Sequence, residues 1–177
     1  MVKLLLRRGA DVNAAVPHDT QAVRLVRGTT AWHMAVYHCW IDVVRLLLRS
    51  GGNPNAVDSE GFTPLHLACD TASTDAMVMT TALFEAGADP LLGDADDEIA
   101  IHFAAGLGHI DVLDLVLLKA PSTLNRPSSK GFTPLWLAVM NDERDMILHP
   151  TPTWGETTRG TRHGNRVPTC DSRGGEP

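Results

Sequence analysis

Histidine and cysteine are the residue types in this chain that first suggest chemistry. His33, His66 and His102 recur at near-even intervals, with Cys39 and Cys69 in the same stretches. That mixture is a donor set zinc accepts, but zinc needs four ligands converging at about 2.0–2.3 Å. Residues one repeat apart belong to different layers and do not generally converge, and His38 and Cys39 are the one adjacent pair, so no metal or other cofactor is expected. The second constellation is Asp94, Asp96, Asp97 and Glu98, which could mimic a paired-acid site or a calcium loop. It lacks the ligand spacing and turn glycine of an EF-hand, and an exposed, solvated turn is expected instead. Neither a Gly-x-Ser-x-Gly elbow, a phosphate-cradling Gly-rich loop, a His-Glu-x-x-His pair nor a Cys-x-x-Cys pair occurs, so the chain reads as no enzyme.

The elements carrying these residues are written several times. "GFTPLHLACD" at 61–70 returns as "GFTPLWLAVM" at 131–140, with drifted copies "GTTAWHMA" at 28–35 and "DEIAIHFA" at 97–104. His33, His66, His102 and Trp136 hold one place at spacings of 33, 36 and 34, a period that signals stacked repeats. A second word follows each: "MVKLLLRRGADVN" at 1–13, "IDVVRLLLRSGGNPN" at 41–55, "ALFEAGADP" at 82–90 and "IDVLDLVLLKAPSTLN" at 110–125. Thr63 can cap a helix, with Pro64 at the first helical position where its missing N–H costs nothing. Ala35, Ala68, Ala104 and Ala138 let neighbouring helices approach closely. Val43, Val44, Leu46, Leu47 and Leu48 make an apolar face wide enough to need neighbours on more than one side. Gly9, Gly51 and Gly87 can end second helices in a left-handed residue; Pro121 replaces that glycine at 110–125, predicting a distorted exit.

The pattern Gly-x-Thr-Pro-Leu-His-x-Ala, Asp-Val-Val-x-Leu-Leu-Leu, Gly-Ala-Asp-x-Asn resembles the ankyrin repeat over roughly residues 2–148. The resemblance implies an all-α solenoid of stacked helix-turn-helix units joined by short hairpin turns, truncated at both ends. It divides the chain into a partial repeat at 1–14, an insertion at 15–24, repeats at about 25–57, 58–93 and 94–127, and a partial repeat at 128–148. Three further extra residues fall near "STDAMVM". The recurring histidine is implied to order backbone at the helix start. Asp97 in place of glycine, and Ile99-Ala100 in place of Thr-Pro, leave the third turn's geometry open. Residues 149–177 are rich in Thr, Gly, Pro and Arg without apolar periodicity, so a disordered tail is expected. Unsealed ends suggest a fragment or isoform of a longer array, with further repeats as flanking partners.

With 177 residues and 44% apolar composition the chain can bury a real core, and 5% aromatics suit packed helices better than a sheet. Three cysteines without paired spacing argue for free thiols and a reducing, intracellular location, nuclear or cytoplasmic. No stretch is long enough for a signal core or a bilayer span, so no membrane is expected. Charge is segregated: residues 1–49 carry seven Lys or Arg against three acids, and residues 50–118 carry none against twelve. The middle should repel phosphate, so no nucleic acid is expected there.

Surface recognition remains. The resemblance places a concave face on the turn tips and outer sides of the first helices. Carried over by position, it takes in Arg27, Thr29, Tyr37 and His38, then Ser59, Glu60, Phe62, Asp70 and Thr71. It continues through Asp96, Glu98 and Leu107 to Lys130, Phe132, Met140 and Asn141. Its acidic centre predicts a protein partner with a basic patch, with Phe62 and Tyr37 as aromatic anchors.

Overall fold

The computed structural model describes residues 1–17, 27–71 and 75–142. Most of the expected insertion, the extra residues near 72–74, the end of the last partial repeat and the 149–177 tail lie outside them. Eight α-helices occur among the described residues: α1 (Val2–Arg7), α2 (Ala31–Tyr37), α3 (Ile41–Arg49), α4 (Pro64–Cys69), α5 (Ala76–Glu85), α6 (Ala100–Leu107), α7 (Ile110–Lys119) and α8 (Pro134–Asp142). None is long and apolar enough to cross a membrane.

The helices form two rows. In the first, α2 packs on α4, α4 on α6 and α6 on α8; in the second, α3 packs on α5 and α5 on α7. Cross-pairs α2/α3, α4/α5 and α6/α7 join the rows. One apolar core runs from Trp32 to Val116. Every residue of α4 is buried, because α2, α5 and α6 cover it. Each large aliphatic side chain taken out of water there, such as Leu65, contributes about 1.5–3 kcal/mol. Ala35, Ala68 and Ala104 are buried where the first-row helices approach. On α3, Val44 and Leu47 are buried while Val43 and Leu48 pack partly covered on the core, as a face with several neighbours requires.

Helix ends follow local chemistry. Thr63 Oγ1 accepts the His66 N–H at 3.4 Å, and Pro64 opens α4. Gly9, Gly51 and Gly87 sit just past α1, α3 and α5 with φ of 88°, 77° and 87°. Helix α7, lacking such a glycine, leaves through Ala120 at φ −142° into a 3-10 turn at Pro121–Thr123.

The third turn keeps the geometry of its neighbours. Asp97 takes a left-handed φ of 56° where Gly61 and Gly131 have 83° and 80°. Asp and Asn tolerate that region better than other non-glycine residues. Asp97→Asn should therefore leave the urea midpoint nearly unchanged, whereas Asp97→Val should cost about 1–2 kcal/mol. Equal midpoints for both variants would contradict the left-handed assignment.

Candidate functional site

The recurring histidines are structural ties. Backbone N–H groups of Thr30, Thr63 and Ile99 donate to Nδ1 of His33, His66 and His102 at 3.1, 2.9 and 3.1 Å. Because Nδ1 accepts, the proton sits on Nε2. That proton points to the next layer: His33 Nε2 donates to the Phe62 carbonyl at 3.0 Å, and His102 Nε2 lies 2.9 Å from the Arg126 carbonyl and 3.2 Å from that of Phe132. His66 Nε2 is buried and faces the backbone carbonyls of Leu92 and Glu98, without a contact of ordinary hydrogen-bond geometry among the described residues. Burial holds the His33 pKa below its usual value and pushes His66 down to about 4, against the opposing pull of Asp58 and Asp94 respectively. With Nδ1 already accepting from backbone and Nε2 protonated, neither nitrogen offers a lone pair to a metal. Among the described residues no group of three His, Cys, Asp or Glu could hold a metal ion.

Cys69 is a free, buried thiol whose pKa burial pushes up to about 12, which makes it a poor nucleophile. The expectation of free thiols is met at Cys69, and Cys170 lies outside the described residues.

The acidic turn also differs from the expected solvated one. Asp94 is buried, and its Oδ1 accepts the N–H groups of Asp96 and Glu98, both at 2.9 Å. Asp58 does the same for Glu60 and Phe62, and Ser128 Oγ accepts from Phe132 N–H at 3.2 Å. An Asp or Ser three residues before the left-handed residue is the signal, missed in the sequence, that shapes each turn. Glu98 is buried as well; Asp96 pairs with Lys130 at 2.9 Å and Asp97 with Arg126 at 3.1 Å. Main-chain rungs join successive tips: Ser59 N–H to the Arg27 carbonyl at 2.7 Å, Ala95 to Glu60 at 2.9 Å, and Ser129 to Asp96 at 2.8 Å.

Of the side chains assigned to the recognition face, Arg27, Ser59 and Lys130 are exposed at the tips, and Glu60 and Asp96 are half-buried there. His38, Asp70, Leu107 and Met140 are exposed at the far ends of the first-row helices, with Tyr37 and Asn141 half-buried. Asn141 Nδ2 donates to the Gly106 carbonyl, tying α8 to α6. Thr29, Phe62, Thr71 and Glu98 are buried and present no open surface. Phe62 is a core ring, 5.5 Å from Phe103 and 5.9 Å from His66, rather than an anchor. Half-buried Phe132 stacks on Trp136 at 4.0 Å. Sequence reasoning missed Trp40, which is 52% exposed and stacked on His38 at 4.6 Å. The signal was an aromatic where the equivalent α6–α7 connection has His109. These side chains can bind a surface, but no nucleophile and base are brought together among them.

A family profile described as "Ankyrin repeats (3 copies)" matches residues 1–90. The chain is 31% identical over 136 residues to the Nuclear factor NF-kappa-B p105 subunit of Rattus norvegicus, a match covering 72% of this chain and 14% of that protein. It is 33% identical over 125 residues to SMC5-SMC6 complex localization factor protein 1 of Bos taurus, covering 70% and 12%. With Ankyrin repeat domain-containing protein 63 of Homo sapiens it shares 30% over 137 residues, covering 76% and 35%. The chain therefore spans about a third or less of the length of these relatives.

Proposed function

The chain belongs to the ankyrin repeat family, whose repeats are protein–protein interaction modules, and from that premise we propose a non-enzymatic binding surface that selects a basic protein partner. The observation that carries this reading is the placement of Glu60, Asp70 and Asp96 along the tips and first row, within a stretch that has no Lys or Arg between Arg49 and Lys119. Stacked layers hold these carboxylates on a rigid frame, so little ordering entropy is lost when a partner docks. Lys130 tempers the charge of Asp96 without cancelling the local excess. The expected partner presents Lys or Arg side chains along the concave face, and its affinity falls with salt.

The test is titration with a basic peptide at low and moderate salt. Replacing Glu60, Asp70 and Asp96 by their amides should weaken binding about tenfold, at roughly 0.5 kcal/mol for each partly solvated charge. Unchanged affinity with unchanged salt dependence would sink the proposal.

A second reading makes the chain a structural segment of a longer array, with activity elsewhere. It is favoured by the apolar face of α8, where Leu135 is 72% exposed while Leu65 and Ile101, at the same repeat position, are 1% and 0% exposed. Under that reading the amide substitutions leave partner binding untouched, because the working surface is not on these residues.

A further inference from the structure

The second row of helices carries a charge pattern that the acidic surface does not use. Aligning Gly9 with Gly51 puts Lys3 level with Arg45 and Arg7 level with Arg49. Each pair is spaced i, i+4, so the cations project from one side of α1 and one side of α3. All four are exposed, and among the described residues no hydrogen bond or ion pair engages their charged ends. At the same register α5 carries Thr81 and Glu85, so the basic pattern stops after two helices.

Two clefts lie beside these cations. The first runs between α1 and α3, with Lys3 and Arg7 on one wall, Ser50 on the other, and Leu6, Val12 and Leu46 as apolar lining. The second runs between α3 and α5, lined by Arg45, Arg49 and Leu48 and bounded by Glu85. Within a helix the cations are about 6 Å apart along the axis. Between helices they are about 8–10 Å apart. A chain in the extended polyproline II form, rising about 3.1 Å per residue with every third side chain on one face, covers the interhelical step in three residues.

We propose that this face of α1 and α3 is a second docking surface, for an acidic, extended protein segment carrying carboxylates every third residue with apolar side chains between them. Its carboxylates pair with Lys3 and Arg45 or with Arg7 and Arg49, and its apolar groups enter the clefts over Leu6, Leu46 and Leu48. Nucleic acid suits the site less well. A phosphodiester backbone has no apolar groups to place over Leu6, Leu46 and Leu48, so it gains nothing from the aliphatic lining of the clefts. The positions of Arg7 and Arg49 in the last turns of their helices also complement the helix dipoles, a role that needs no ligand and must be separated from binding.

The experiment uses the full chain and a blocked, fluorescent peptide repeating Glu-Leu-Ser, with a Gln-Leu-Ser counterpart and a single-stranded oligothymidylate of equal charge. The acidic peptide should bind saturably and weaken with salt, while the Gln peptide should not bind. Arg45→Gln with Arg49→Gln should lower the affinity about tenfold or more. Arg45→Lys with Arg49→Lys should keep most of it, which also guards against a misfolded Gln variant. Changing Glu60, Asp70 and Asp96 to amides should leave this binding intact, so failure here is distinguishable from failure of the concave reading. Undiminished affinity in the Gln variant, a Gln variant altered only in its melting, or an oligonucleotide bound as tightly as the peptide would each overturn the proposal.

Discussion

Acidifying the folded chain from pH 7 to pH 4 should remove about 3 kcal/mol of stability through His66 alone. The imidazole is buried, its Nδ1 accepts the Thr63 N–H, and its pKa is pushed down to about 4 from an ordinary 6.5. In the unfolded chain the ring takes up a proton as pH falls through 6.5, while in the folded chain it stays neutral until about 4. The unfolded state therefore binds more protons throughout that window. The stabilisation is complete above the unfolded pKa and lost as pH falls toward the folded one. His33 is shifted in the same direction by burial and adds to the slope. Carboxylates titrate in the same window, so the informative measurement is a difference: urea unfolding at several pH values for the chain and for His66→Gln. A Gln at the third helical position can still reach back to the Thr63 N–H, so the cap survives while the titration is removed. The gap between the two stability curves should change by about 3 kcal/mol between pH 7 and pH 4. Parallel curves would mean that protonation of His66 is not resisted by the fold.

Gly61→Ala should be among the most disruptive single-methyl changes in the array, costing about 3 kcal/mol or more. Gly61 has a φ of 83°, and a Cβ there would stand 2.9 Å from Ala95 N, Asp94 C and Asp94 Cα. These are backbone atoms of the next turn, held by the rung from Ala95 to Glu60, so they cannot swing aside. Gly131 is the control. Its φ of 80° is nearly the same, but among the described residues a Cβ there meets nothing within 4 Å. Gly131→Ala should therefore show only the strain of a left-handed alanine, about 1 kcal/mol. Thermal or urea midpoints of the two variants decide the matter, and equal losses would mean that backbone angle alone governs these sites.

Much of the fold could be read from the sequence because its signals are local. Thr63 and Pro64 start a helix by chemistry confined to one turn, and Gly9, Gly51 and Gly87 end helices for the same reason. The repeat period then carried the architecture. Side-chain burial on the recognition face was less legible. Phe62 and Glu98 lie one residue beyond each left-handed position and look like tip residues, but the next layer covers them. That covering depends on contacts more than 30 residues away, which no local pattern encodes. Charge division misled in a similar way. Asp96 and Asp97 sit in a stretch without cations, yet Lys130 and Arg126 reach them from the next repeat, 34 and 29 positions later. The turn acceptors Asp58, Asp94 and Ser128 share one repeat position, but their burial depends on how each turn folds back over them, which the residue type alone does not show.

The rungs between hairpin tips consist wholly of peptide N–H and C=O groups. A rung is indifferent to the side chain borne by the residue that forms it, so Arg27, Ser59, Glu60 and Ser129 can change without any rung losing a donor or an acceptor. Proline at Ser59 or Ser129 is the exception, because it has no N–H to give. Alignment of the layers and choice of partner are thereby separated within one short segment. A randomised library at the tips would explore new specificities on an unchanged frame, much as type can be reset in a fixed press.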